Sequence, residues 1–298
     1  MSLTIIFSFL LLLILGIIFI AYRQSNRVLT RKSKHTPLLI SPEQFGIPFK
    51  DIAFKTPDNL TLKGWFIEAT TPSNKTIIFL HGWGLNKGDI FLNTVFLREK
   101  GFNLFYFDFR SSGASEQGPS SIGYRETKDA TSAINYICSL YPKQTEHIGL
   151  YGLSMGAAVA VYTAAHNKKV ECLVAEACYY SYNKVVARWA RKHKRVPYFP
   201  LVALILFFVR KRLGIDPEDF SPKENIKKLG KKPLLIITGK QDTLAPRHDA
   251  RALFLAAAQP KQLWLVPQAS HTDSAQKAGT LYQQRLTEFF TNNLGSKK

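Results

Sequence analysis

The chain has 298 residues, room for one large domain or two small ones, and its 46% apolar content can fill a sizeable core. Forty Lys and Arg against twenty-one Asp and Glu give a formal net charge of +19, which implies attraction to nucleic acid, an anionic membrane or an acidic substrate. No recognisable nucleic-acid motif accompanies that charge, and the basic residues cluster beside apolar runs, so nucleic-acid binding is set aside in favour of membrane contact.

Leu3 to Tyr22 is a run of twenty uncharged residues, mostly Leu, Ile and Phe. As a helix at about 1.5 Å per residue it would be about 30 Å long, the thickness of a bilayer's hydrocarbon core. A cleaved signal peptide is the competing reading, but it calls for a basic start, a shorter run and small residues at a cleavage site, none of which is clear here. The expectation is a retained anchor over residues 1–22. Arg23, Arg27, Arg31, Lys32 and Lys34 follow with no acid among them, and residues 23–45 read as a basic, solvated linker. Cytoplasmic flanks carry the excess of Lys and Arg. This places the remainder of the chain on the cytoplasmic side of a single-pass protein.

The globular domain is expected over 46–298. Ile52–Lys55 and Leu60–Ile67 read as two strands around the turn Thr56-Pro57-Asp58-Asn59. Further strand-like runs are Thr76–Leu80, Asn103–Phe107, Ile148–Tyr151, Cys172–Ala175, Pro233–Thr238 and Gln262–Val266. They alternate with helical stretches at Phe91–Glu99, Arg125–Leu140, Met155–His166, Arg247–Ala258 and Gly279–Asn292. Such alternation implies a mostly parallel sheet of about eight strands, covered by helices on both faces.

One long interruption, about 178–222, lies between the sixth and seventh strands. It holds the apolar run Tyr198–Val209, too short to span a bilayer as a helix. Nine cations and no acid lie between residues 184 and 212: Lys184, Arg188, Arg191, Lys192, Lys194, Arg195, Arg210, Lys211 and Arg212. An insertion at this point is where a lid over an active site would sit, and its composition suits a lid that also rests on the bilayer.

Gly152-Leu153-Ser154-Met155-Gly156 fits G-x-S-x-G between a strand and a small-residue helix, the setting of a nucleophile elbow. Ser154 must take a strained backbone angle for its hydroxyl to stand clear of the sheet, and the flanking glycines let strand and helix approach. A serine hydroxyl needs a base, and the base an orienting acid, following in the order acid then histidine beyond strand ends. Asp242 and His271 occupy those places, with Glu176 as the rival acid and His248, His147 and His81 as weaker rivals for the base. An oxyanion hole needs two N–H donors. Met155 supplies one, and Trp83, in the loop His81-Gly82-Trp83-Gly84, is expected to supply the other while its indole walls the acyl pocket. The three cysteines (Cys138, Cys172, Cys178) show no C-x-x-C spacing, and no metal or cofactor is expected.

Gly152–Gly156, His81–Gly84, Asp242 and His271, in this order, resemble a serine hydrolase of the α/β-hydrolase fold. The similarity is to its membrane-anchored members near the serine aminopeptidase-like and monoacylglycerol-lipase-like branch. It covers residues 46–292. Asp108–Ser115 resembles that branch's D-x-R-G-x-G-x-S loop, with Ser111 in place of a usual glycine, and Asp58-Asn59 stands where Asp-Gly is common. The resemblance implies an α/β-hydrolase domain with a helical lid, cleaving a lipid or small ester through an acyl-serine. A peptidase or thioesterase on the same residues, or a non-catalytic membrane-associated binding protein, are the alternatives, since this fold hosts many chemistries.

Overall fold

The computed structural model of the protein describes residues 3–30 and 40–296. Its centre is an eight-stranded sheet built from β1 (Lys50–Lys55), β2 (Thr61–Ile67), β3 (Lys75–Leu80), β4 (Asn103–Phe107), β5 (His147–Leu153), β6 (Val170–Glu176), β7 (Leu234–Gly239) and β8 (Lys261–Val266). The spatial order is β1-β2-β4-β3-β5-β6-β7-β8. β1 and β2 pair antiparallel, as do β2 and β4, and every other pair is parallel.

The helices are α1 (Leu3–Thr30), α2 (Lys87–Thr94), α3 (Tyr124–Leu140), α4 (Met155–His166), α5 (Tyr182–Lys194), α6 (Ala203–Leu213), α7 (Pro222–Asn225), α8 (Arg247–Ala256), α9 (Ser274–Ala278) and α10 (Thr280–Asn293). Successive strand residues face opposite sides of the sheet, and that period divides the core in two. Ile78, Phe105, Leu150, Leu173 and Ile236 pack with Ile134 of α3, Val159 of α4 and Leu253 of α8. Ile77, Phe79, Tyr106, Val174 and Ile237 pack with Phe91 of α2 and Leu286 and Phe290 of α10. Both faces are covered, so the central strands carry apolar residues at nearly every position.

Three element boundaries differ from the sequence expectation. The anchor helix does not stop at Tyr22 but continues through Arg23 and Arg27 to Thr30. No proline or glycine interrupts residues 17–30, arginine is a good helix former, and cations suit a helix's final turns. Of the expected linker, residues 31–39 lie outside the described residues, whereas Ile40 already packs on the α2–α10 side of the core. The helix expected at Phe91–Glu99 begins earlier, at Lys87. Asn86 Oδ1 accepts from Gly88 N–H at 2.8 Å and Asp89 accepts from Asn86 N–H at 2.8 Å, a reciprocal cap. It gives way to a tighter 3-10 turn over Val95–Lys100. The last helix, expected from Gly279, begins at Thr280, and a short helix, α9, precedes it, the two separated by Gly279 at φ +54°.

The segment between β6 and β7 is helical: α5, a five-residue turn at Tyr198–Val202, α6 and α7. It has a small core of its own, in which Tyr182, Val202, Leu206 and Phe220 are buried. The loops that leave β3, β5, β6, β7 and β8 at their carboxyl ends gather on one edge of the sheet, where open α/β sheets place their sites.

Candidate active site

Ser154 sits between β5 and α4 with φ +55° and ψ −112°. A serine held at positive φ is strained, and a surrounding structure must impose it. That structure is close packing: a Cβ on Gly156 would collide with the Leu80 carbonyl of β3, and one on Gly152 with the Gly156 backbone. Backbone bonds complete the clamp, Ser154 N–H to Glu176 O at 2.8 Å and Ala157 N–H to Ser154 O at 3.0 Å.

The structure brings the three sequence-selected side chains into one line. Ser154 Oγ is 2.8 Å from His271 Nε2, and His271 Nδ1 is 2.8 Å from Asp242 Oδ2. Asp242 is fully buried at its side chain, while His271 keeps 20% exposure. The other Asp242 oxygen accepts from the N–H groups of Leu244 at 2.8 Å and Ala245 at 2.9 Å. These bonds fix the carboxylate's plane, so Nδ1–H points at it and Nε2 is left to accept from Ser154.

The rival residues are engaged elsewhere. His147 pairs with Glu171 at 2.7 Å at the amino end of β5. His248 lies on α8 beside Arg188. Glu176, the rival acid, is buried beneath the elbow, where Tyr151 and Tyr282 hydroxyls each lie 2.7 Å from its Oε2 and 2.8 Å from one another. Both hydroxyls donate to that carboxylate oxygen. Burial raises the Glu176 carboxyl above the ordinary glutamate range, against the lowering effect of the two tyrosine hydrogen bonds. Tied to two tyrosines in this way, Glu176 supports the elbow, a role that sequence order alone does not reveal.

The loop after β3 lies against the nucleophile. A Cβ on Gly82 would come within 3.5 Å of Ser154 Cβ, so the loop that carries Trp83 runs directly beside the nucleophile. Met155 is the first residue of α4, and its N–H belongs to the helix-end donors that have no partner inside the helix. His81 shapes this loop. It is 1% exposed, accepts from Phe109 N–H at Nε2 (3.0 Å) and donates from Nδ1 to Gly82 O (2.8 Å). Burial pushes its imidazole below the usual histidine range, which keeps it neutral in that role.

The loop Asp108–Ser115 is a polar hub. Asp108 is buried, takes N–H groups of Lys87 and Ala114 at 2.8 Å each, and pairs with the Lys87 ammonium. Arg110 grips Asp129 through Nε and NH2 and Asp58 through NH1 and NH2, at 2.7 to 3.1 Å. Both departures from the family pattern fall at left-handed positions, Ser111 at φ +57° and Asn59 at φ +65°. Ser111 Oγ donates to Gly118 O at 2.6 Å and accepts Gly118 N–H at 2.9 Å.

The helical insertion meets the site through α5. Arg188 bonds Leu244 O at 3.1 Å and Asp249 at 3.0 Å, and Lys192 donates to Thr243 Oγ1 at 3.0 Å. Two of the nine insertion cations, Arg188 and Arg210, are paired with carboxylates from outside residues 184–212, Asp249 and Asp216. These pairings reduce the basic charge that the insertion's composition offers to a bilayer.

Comparison with known proteins bears on the fold and on the broad class of activity. Residues 71–215 match the family described as serine aminopeptidase, S33. A Pyrococcus furiosus esterase, Pf2001, superposes with a TM-score of 0.71 at 26% identity, covering 86% of this chain and 96% of that one. The Bacillus subtilis protein YqkD is 29% identical over 78% of this chain and 75% of its own length. A Saccharomyces cerevisiae protein described as a membrane protein is 25% identical, covering 78% of this chain and 77% of its own. The chain has the α/β-hydrolase fold, and its relatives support a hydrolase.

Proposed function

We propose that this α/β-hydrolase is a membrane-anchored serine hydrolase that cleaves an acyl ester, of a lipid or a small molecule, through an acyl-serine intermediate. The observation that carries the reading is the 2.8 Å and 2.8 Å relay from Ser154 through His271 to Asp242, set at a strained elbow.

In the first half-reaction Ser154 Oγ attacks the ester carbonyl carbon while its proton passes to His271 Nε2. The carbonyl electrons move to oxygen, and the Met155 and Trp83 N–H groups are assigned to that oxyanion, each worth roughly 3–4 kcal/mol. The imidazolium, held by Asp242, then protonates the departing alkoxide as the C–O bond breaks. Water, deprotonated by the same nitrogen, attacks the acyl-serine and releases the acid, restoring Ser154. Leu3–Tyr22 is assigned as a single span with the hydrolase domain on the cytoplasmic side.

Labelling by a fluorophosphonate, lost in Ser154→Ala, tests the nucleophile and separates an enzyme from a binding protein on the same fold. The name of the matching family favours an amide as the second reading. Turnover of an ester, a thioester and an amide sharing one acyl group ranks the three. Protease protection in sealed vesicles tests the orientation, and digestion of the domain from outside intact cells would refute it.

A further inference from the structure

The helix assigned as the anchor is not an isolated tether. Ala21, Ser25 and Leu29 are buried along one face of α1 at four-residue spacing, and the helix that covers this part of the chain is α6 of the insertion. Phe208 meets Tyr22 edge to face with centroids 5.4 Å apart. One turn further along α6, Arg212 lies over the Tyr22 ring at 4.2 Å, and its Nε bonds Ser25 Oγ at 3.0 Å, three residues further along α1. Phe208 and Arg212 thus advance with Tyr22 and Ser25, and the two helices run side by side in the same direction.

Their chemistry changes at the same level. α1 is apolar up to Tyr22 and basic at Arg23 and Arg27, while α6 is apolar up to Val209 and basic at Arg210, Lys211 and Arg212. Moving from that level toward the amino end of α1 along α6 leads into exposed apolar surface. Phe207 is 50% exposed, and the turn before α6, which also packs on α1, presents Phe199 at 78% and Tyr198 at 51%. Leu3 to Leu15, on the same side of the level, are exposed on every face. A soluble surface has no use for such a patch beside a bare apolar helix. A leaflet has: aromatic side chains suit the interfacial and upper acyl region, and cations suit anionic headgroups at its rim.

We propose that Tyr198–Phe208 is a second membrane element, laid shallowly into the same leaflet as α1, with Phe199, Tyr198 and Phe207 among the acyl chains and Lys211, Arg23 and Arg27 at anionic headgroups. The proposal rests on the anchor reading of α1 and adds a docking surface to it. Its consequence is positional. The insertion that dips into the leaflet also holds α5 against Trp83 and the Asp242 loop, so the mouth of the site opens at the membrane surface and suits an ester whose acyl chain lies in the bilayer.

The test uses the full chain in vesicles of phosphatidylcholine and phosphatidylglycerol. In a Cys138→Ser background, where Cys172 and Cys178 are buried, an environment-sensitive fluorophore is attached at Phe199→Cys, at Leu12→Cys within the anchor, or at Leu255→Cys, which is 77% exposed on α8. Nitroxide-labelled lipids should quench the probes at 12 and 199 by at least twofold and leave 255 unchanged. Quenching at 12 with a water-like, unquenched probe at 199 overturns the proposal and leaves the anchor standing. Quenching at neither removes the anchor reading and this one with it. A blue-shifted but unquenched probe at 199 that cross-links to a second chain also overturns it, the patch then being a contact between copies.

Discussion

Trp83 and Trp189 meet edge to face, their ring centroids 5.6 Å apart and their planes at 87°. One belongs to the loop that abuts Ser154 and the other to α5, so the insertion steadies the loop assigned to the oxyanion. Edge-to-face pairs contribute about 0.5–1.5 kcal/mol beyond their area. Trp189→Ala should therefore lower kcat for a short ester about 3- to 10-fold, and Trp189→Phe should restore most of it. Steady-state kinetics beside a melting curve checks this. A fall in Tm with kcat unchanged would reduce the pair to packing.

The acid assignment separates two buried carboxyls. Asp242→Asn leaves Leu244 and Ala245 a partner but presents the wrong group to Nδ1, and a loss of about 10⁴ in kcat is expected. Glu176→Gln should keep turnover within about tenfold, since that side chain faces two tyrosines. Ser154→Ala should abolish turnover and labelling and leave the fold intact. If the asparagine variant runs near wild type while Glu176→Gln is dead, the assignment is reversed.

What could be read in advance was local. Gly152–Gly156 announces its own turn, and the strands beneath the site are unbroken apolar runs bounded by turn residues. Asp242 and His271 follow from the order of strand ends. What could not be read is pairing across distance: Arg110 with Asp58, 52 residues away, Glu176 with Tyr282, 106 residues away, and Arg188 with Asp249. Each is a polar residue whose partner is fixed by sheet order, which periodicity alone does not give. The continuation of α1 past Tyr22 was legible in the absence of a breaker, but a charge run naturally reads as a linker. Its packing on α6 has no sequence signature beyond small residues at 21 and 25.

His81 makes stability depend on pH. Its folded-state proton affinity is lowered by burial from a reference of 6.5, so below about pH 6.5 the unfolded chain binds the proton and the folded chain does not. Stability is then full above that pH and declines as the pH falls toward the folded value. His81→Gln should be less stable at pH 8 but show a shallower decline between pH 6.5 and 5. Urea midpoints at several pH values, compared as differences between the two proteins, measure it. An unchanged slope would mean that other groups set the acid sensitivity.

Arg110 is the largest fully buried side chain among the described residues, and Asp129 beside it has no side-chain exposure either, whereas Asp58 is half exposed. Removing one partner of a buried pair leaves the other uncompensated, a cost of about 3–5 kcal/mol. Arg110→Met should thus unfold at markedly lower urea than wild type. Asp58→Asn should do far less, because solvent already screens that side of the contact. Asp58 is held down to about 2 by its hydrogen bonds to Arg110, so the stability from this pair is present above the ordinary carboxylate range. It is lost only as the pH falls from about 4 through 2.

Two residues held in the left-handed region, Asn59 and Ser111, predict changes of opposite sign on replacement by glycine. Asn59 has φ +65°, is exposed and bonds its neighbours through its backbone, accepting from Lys55 Nζ at 3.1 Å and donating to Thr56 O at 2.9 Å. Glycine there would relieve the side-chain cost of positive φ, about 1 kcal/mol or less for asparagine, offset in part by a more flexible unfolded chain. Asn59→Gly should be neutral to stabilising by about 0.5 kcal/mol. Ser111 shares the conformation but is 3% exposed, and its hydroxyl closes both bonds to Gly118. Glycine relieves the same strain but leaves the partly buried N–H and C=O of Gly118 without the hydroxyl, up to about 1–3 kcal/mol in the other direction. Ser111→Gly should therefore destabilise by about 1 kcal/mol. Urea denaturation of both variants decides it. If Ser111→Gly is the more stable protein, the hydroxyl bridge contributes less than the strain of the turn that it closes.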